Sequence, residues 1–89
     1  MKWLNEMDNI LKDIIAERQR QDDKFGSDRN QHNYVWNAIL LEEVGEASKE
    51  CLEIDFDKKS ERELRMELVQ VAAVAVAWIE NLDRKTLNK

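Results

Sequence analysis

Proline is absent from this 89-residue chain, and glycine occurs only at Gly26 and Gly45. These two residues are the main interrupters of helices, and without them long uninterrupted helices are the natural outcome. Ala, Leu, Glu and Lys, all good helix formers, are abundant. The chain is 43% hydrophobic and 37% charged, the mixture of a water-facing helical protein. The predicted fold class is therefore all-α. Its length allows one domain, residues 1–89. A domain this small buries only about 60–70% of its unfolded surface.

Charge and rare residues exclude several function classes. The net charge is −5 and the isoelectric point is near 4.9, with no dense basic cluster. Such a surface repels a phosphate backbone, so no nucleic-acid partner is expected. A small phosphate-rich ligand differs, because a bound cation bridges carboxylates to phosphates. One cysteine, Cys51, excludes an internal disulfide framework and a zinc finger, and one histidine, His32, excludes a His-rich metal site. The longest apolar run, residues 71–79, is far short of the ~20 residues that span a bilayer. With no signal-peptide pattern, the expectation is a cytoplasmic protein without a membrane partner.

Apolar spacing predicts three long helices with short connectors. The first covers about 3–25, with Leu4, Met7, Ile10, Leu11, Ile14 and Ile15 on one stripe. Phe25 and Gly26 end it. Residues 27–33, Ser-Asp-Arg-Asn-Gln-His-Asn, form a polar connector. The second covers about 34–53, with a stripe of Trp36, Leu40, Val44, Ala47 and Cys51 thickened by Ile39, Leu41 and Leu52. A short break is expected over 55–59. Ser60 and Glu63 then make a capping box for the third helix, about 60–82. There Leu64, Leu68, Val71, Ala75, Trp78 and Leu82 line one face, and Val69, Ala72, Val76 and Ile79 a second. A helix apolar on most sides belongs in the middle of a bundle. Three helices supply few neighbours for it, so self-association, as a dimer or a multiple of one, is expected to complete the bundle.

Carboxylates carry the chemical signal. The second helix has Glu42, Glu43, Glu46, Glu50 and Glu53, and the third has Glu63 and Glu67 with Gln70 one turn on. Residues three and four apart share a helix face, so Glu43, Glu46 and Glu50 form one ridge. Such a run is ordinarily a solvated face. Here Glu43 and Glu46 border the apolar stripe, and Glu67 lies between Met66 and Leu68. Carboxylates beside a core need a partner, and facing pairs on adjacent helices suit a hard cation such as magnesium.

Glu42-Glu43-Val44-Gly45-Glu46, followed after 20 residues by Glu67-Leu68-Val69-Gln70, resembles the EExxE…ExxD signature of MazG-like all-α nucleoside triphosphate pyrophosphohydrolases. Ile39-Leu40-Leu41 before the first motif and the Val/Ala-rich helix after the second match the same context. Residues 17–26 resemble a segment upstream in some members, and the likeness spans roughly 10–82. It implies magnesium-dependent (or manganese-dependent) hydrolysis of a nucleoside triphosphate to monophosphate and pyrophosphate. It makes Glu43, Glu46, Glu67 and Gln70 the metal-ligand positions, and Glu42 the residue that orients or deprotonates water. Gln70 departs from the family's Asp and removes one negative charge. A triphosphate also needs cations beyond the metal, for which Lys24, Lys49, Arg18 and Arg20 are candidates. Trp36 is either a base-stacking residue or a core residue, His32 a loop or cap residue, and Cys51 a small core residue. Two other functions compete with the enzyme: a non-catalytic nucleotide- or metal-binding regulatory module, motivated by Gln70, and a structural helical protein whose acids are all solvated.

Overall fold

The first helix ends, and the second begins, where the chain supplies a specific signal. Gly26 has φ of 93°, a left-handed conformation that favours glycine. Its N–H bonds to the Asp22 carbonyl at 2.8 Å and closes the first helix. His32 opens the next. Its carbonyl accepts from the N–H groups of Val35 (2.9 Å) and Trp36 (3.3 Å), and its ring Nδ1 accepts from the N–H of Tyr34 at 3.1 Å. The only histidine is thus a helix cap.

A computed structural model describes residues 2–57 and 61–87. It contains α1 (Lys2–Phe25), α2 (Asn33–Asp57) and α3 (Glu61–Leu87), with no strand among the described residues. The all-α expectation holds. The predicted break over 55–59 is partly corrected, because α2 continues through Asp57; residues 58 and 59 lie outside the described residues, as does Ser60 of the expected capping box. α3 runs past the expected end near 82 to Leu87. No helix among the described residues is long and apolar enough to cross a membrane.

α3 is the middle helix. α1 and α2 both pack on it, while no Cα pair between α1 and α2 comes within 8 Å among the described residues. The result is a flat body of 49 × 35 × 20 Å. Its radius of gyration is 14.9 Å, against about 12 Å for a chain of this length at typical packing.

The buried seam differs from the predicted one. Its α3 side is Ala73, Val74, Ala77 and Asn81, a row of mostly small residues at four-residue spacing. Trp36 of α2 lies against it at 1% exposure, with Ile39, Leu40 and Trp78 around the contact. Only small side chains leave room for an indole there. The larger aliphatics predicted to be inside, Leu68, Val76, Ile79 and Leu82, are exposed, as are Leu41, Val44 and Leu52 on α2. Cys51 is exposed too, not a core residue. On α1, Met7, Ile10, Leu11 and Ile15 are exposed and Ile14 is half-buried. One chain does not supply enough neighbours to cover them.

Asn81 is the polar centre of the seam, also at 1% exposure. Its Oδ1 accepts from Trp36 Nε1 at 2.8 Å and from the Gln31 N–H at 3.0 Å. Its Nδ2 donates to Asn30 Oδ1 at 3.2 Å. One turn on, Arg84 donates to the Arg29 carbonyl (2.6 Å) and Lys85 to the Gln31 carbonyl (3.0 Å). The end of α3 therefore holds the α1–α2 connector. Along α1, Arg18 makes a two-pronged contact with Glu80 (3.1 and 2.9 Å) and a third bond to Asp22 (3.0 Å).

Asn81→Ala leaves the indole N–H of Trp36 and the N–H of Gln31 without their acceptor. At about 1–3 kcal/mol per unsatisfied buried group, the melting temperature falls by roughly 10 °C or more. A thermal melt within about 2 °C of the parent's would show that Asn81 is not the node described here.

Candidate functional site

Three helical rows converge on one cleft. α1 contributes Glu17, Arg20, Gln21 and Lys24, α2 contributes Ile39, Glu42 and Glu43, and α3 contributes Gln70 and Val74. Each row follows three- and four-residue steps, so each is a single helix face. Because α1 and α2 stand apart on α3, their facing sides become walls and α3 the floor. Phe25, Arg29 and Gln31 also line the cleft. The enclosed volume is about 530 Å³, within the range of small-ligand sites.

The acidic part lies between α2 and α3. Glu43 and Glu67 are both half-buried, and their carboxyl groups are within hydrogen-bonding reach of each other. Burial pushes the Glu43 carboxyl above the usual carboxylate range, and the charge of Glu67, contact with it, and the charges of Glu42 and Glu17 push the same way. Glu67 Oε2 is buried with no hydrogen-bond partner. Two carboxylates held together, one with an orphaned oxygen, are an oxygen-donor set that fits a hard cation.

The sequence-predicted residues separate into groups. Glu43 and Glu67 come together, and Glu42, Gln70 and Lys24 line the cleft beside them. Glu46 is exposed and does not line the cleft. At 100° per residue its position around α2 falls between those of Glu42 and Glu43, one turn farther along. Among the described residues no three His, Cys, Asp or Glu are grouped to hold a metal ion, so the pair is the assembled portion. Lys49 is exposed and outside the cleft. Trp36 is in the core with its N–H bonded to Asn81, leaving no open ring for a base. Arg18 and Arg20 are committed to Glu80 with Asp22 and to Glu17, respectively.

Four polar cleft residues carry no such prediction: Glu17, Gln21, Arg29 and Gln31. Glu17 is one turn before Gln21 on a row whose spacing was readable. Arg29 and Gln31 lie in the connector, where no periodicity assigns a face. The Arg29 guanidinium sits 4.8 Å from the Trp36 ring centre and 5.3 Å from that of Phe25. Burial lowers its pKa and the nearby Arg18 charge adds to the effect, while the Asp22 charge opposes it.

No protein-family model, curated protein or solved structure matches the chain.

The raised Glu43 pKa has a definite consequence for stability. Its folded value lies above the ordinary 4.5, so the folded state holds this proton more tightly than the unfolded state. The resulting stabilisation is complete below pH 4.5 and is lost as pH rises through the folded value. Glu43→Gln removes that loss. In metal-free buffer the variant's melting temperature should exceed the parent's by more at about pH 7.5 than at about pH 4.5. Parallel profiles would mean that Glu43 is not under this pressure.

Proposed function

We propose that this chain is a metal-dependent hydrolase that cleaves a (deoxy)nucleoside triphosphate to the monophosphate and pyrophosphate, in the manner of the MazG-like enzymes it resembles. The observation that carries the proposal is the half-buried Glu43–Glu67 pair beside a cleft with both acidic and basic walls. Glu43 and Glu67 would hold magnesium, or manganese, with the Gln70 amide oxygen as a weak neighbouring donor; Glu46, the remaining ligand position that the resemblance implies, lies outside the cleft lining. When bound, the cation activates water and neutralises charge on the phosphates. Glu42, exposed on the α2 wall, orients the attacking water and takes its proton. The cations at the α1 end of the cleft hold the phosphate chain, whose α–β P–O bond breaks as the new P–O bond to water forms.

Gln70 favours a second reading, a binding module of the same fold without turnover. It lines the cleft as a neutral amide where the signature has a carboxylate. The two readings separate by assay. Pyrophosphate release from a panel of standard and modified nucleoside triphosphates, with magnesium or manganese, should be metal-dependent and fall at least about 100-fold in Glu43→Gln, given the several kcal/mol a catalytic cation supplies. Binding without turnover, with turnover appearing in Gln70→Asp, would establish the module instead. If neither binding nor turnover depends on Glu43 and Glu67, the acids are solvated surface in a structural protein.

The same proposal includes a homo-oligomer. Leu11 and Ile15 of α1 and Val76 and Ile79 of α3 are exposed, and Leu11, Ile15 and Val76 border one shallow depression. Apolar surface clustered in this way marks an association face. Light scattering after gel filtration should give a multiple of the 10.5 kDa chain mass, and Ile15→Glu with Ile79→Glu should give the single-chain mass. A parent that is monomeric at about 100 μM, where even a weak ~10 μM contact would be mostly formed, rules this face out as an interface.

A further inference from the structure

In the cleft, Lys24, Arg29 and Gln31 present side-chain donors that have no protein acceptor among the described residues. The Gln31 Nε2 is buried and lacks a hydrogen-bond partner. Neither Lys24 nor Arg29 has a carboxylate within 4 Å among the described residues, and the Arg29 side chain makes no hydrogen bond there. Their company is aromatic: Lys24 Nζ lies 5.1 Å from the Phe25 ring centre and the Arg29 guanidinium 5.3 Å from it. Cation–π contact offsets part of the cost of burying a cation, but leaves the N–H donors in the ring plane unused. All four residues line the same cavity as Glu42 and Glu43.

These donors are held in place from behind. The backbone carbonyls of Arg29 and Gln31 accept from Arg84 and Lys85, and the Gln31 N–H donates to the buried Asn81. The connector that carries two of the three donors is therefore pinned to α3 on its far side. Fixed donors cost little to organise when a ligand arrives. In a chain of net charge −5, this part of the cleft carries two cations without a salt bridge among the described residues and one amide nitrogen without a hydrogen-bond partner, with only the more distant Asp22 offsetting the Arg29 charge.

We infer that Lys24, Arg29 and Gln31 form an anion cradle for the end of a di- or triphosphate chain, with Arg29 its principal ligand. The placement deepens the hydrolase proposal, on which it rests for the identity of the anion: the phosphate tail lies at the connector and the bond to be cleaved faces Glu42 and Glu43. A purely structural role, in which the cations only cover Phe25 and Trp36, predicts instead that no phosphate ligand notices them.

Calorimetric titration of the full chain with inorganic tripolyphosphate, in metal-free buffer, tests this directly. A nucleoside triphosphate titrated in parallel shows whether the phosphates alone are recognised. Arg29→Gln should weaken binding by roughly tenfold to a hundredfold, the worth of one charge-assisted contact, with Arg29→Lys intermediate. Lys24→Gln and Gln31→Ala should each weaken it by less, and binding should weaken with added salt. Should Arg29→Gln fail to fold, the Lys24 and Gln31 variants decide the matter. Absence of tripolyphosphate binding at millimolar concentration, or binding unchanged in the folded variants, overturns the cradle. Tripolyphosphate binding that depends on Arg29 without any triphosphate hydrolysis would sink the enzyme and leave the cradle standing. Hydrolysis with a KM unchanged in Arg29→Gln would do the reverse.

Discussion

The bond between the indole of Trp36 and the carboxamide of Asn81 is the constraint on which the remaining structure depends. Both residues are almost fully buried, and Asn81 Oδ1 is shared between that indole and the backbone of Gln31. A large ring sits on α3 only where that helix offers a row of small residues, and Ala73 and Ala77 are that row. A buried indole N–H must find an acceptor, and the next position on the row supplies one. Core packing, helix register and connector path are therefore set at one place. With α2 seated through Trp36 and α1 tied separately by Arg18 to Glu80, the two outer helices stand apart, and the cleft is the space left between them.

That cleft stores two electrostatic tensions of opposite sign. Toward α2 and α3, Glu43 is held above its ordinary pKa by burial and by Glu67. Toward the connector, Arg29 is held below its own by burial and by Arg18. Mutual neutralisation would relieve both, yet no ion pair joins them among the described residues. The rest of α1 behaves differently. Arg18 and Arg20, the cations nearest in sequence, are each paired with carboxylates. The contrast is that of structural ion pairs against charged groups that have none among the described residues. A polyanion accompanied by a cation relieves both ends at once, whereas a neutral ligand relieves neither.

Local information made the helices legible and left the seam largely hidden. Gly26 as a stop, the extent of α1 and the start of α2 follow from propensity and capping, which act over a few residues. Glu43 and Glu67 were legible as candidates because they stand beside apolar positions, and Gln70 only through the motif it shares with the family the chain resembles. Asn81 was not, since its partners Trp36 and Gln31 are 45 and 50 residues away and nothing local marks an asparagine near a helix end as a core residue. Arg29 and Gln31 are harder still. A polar connector has no period, and only the bonds from Arg84 and Lys85 decide which way its residues face. The apolar stripes misled for a related reason: periodicity reports which residues seek burial, not whether one chain has the partners to bury them.

That last distinction bears on the site itself. α3 has apolar residues on nearly every side, and α1 and α2 cover only part of it, leaving Leu68 and Ile79 more than half exposed. Exposed aliphatics of this size cost solubility unless something packs on them. A fourth and fifth helix placed against α1 and α3 would also fix how α1 sits on α3. The width of the cleft is set by that placement, because α1 carries Glu17 and Lys24 while α2 carries Glu42 and Glu43. In the proposed oligomer, association would thus do more than cover apolar surface. By fixing α1, it would set the distance between the cations that would hold a phosphate tail and the carboxylates that would meet the bond to be broken.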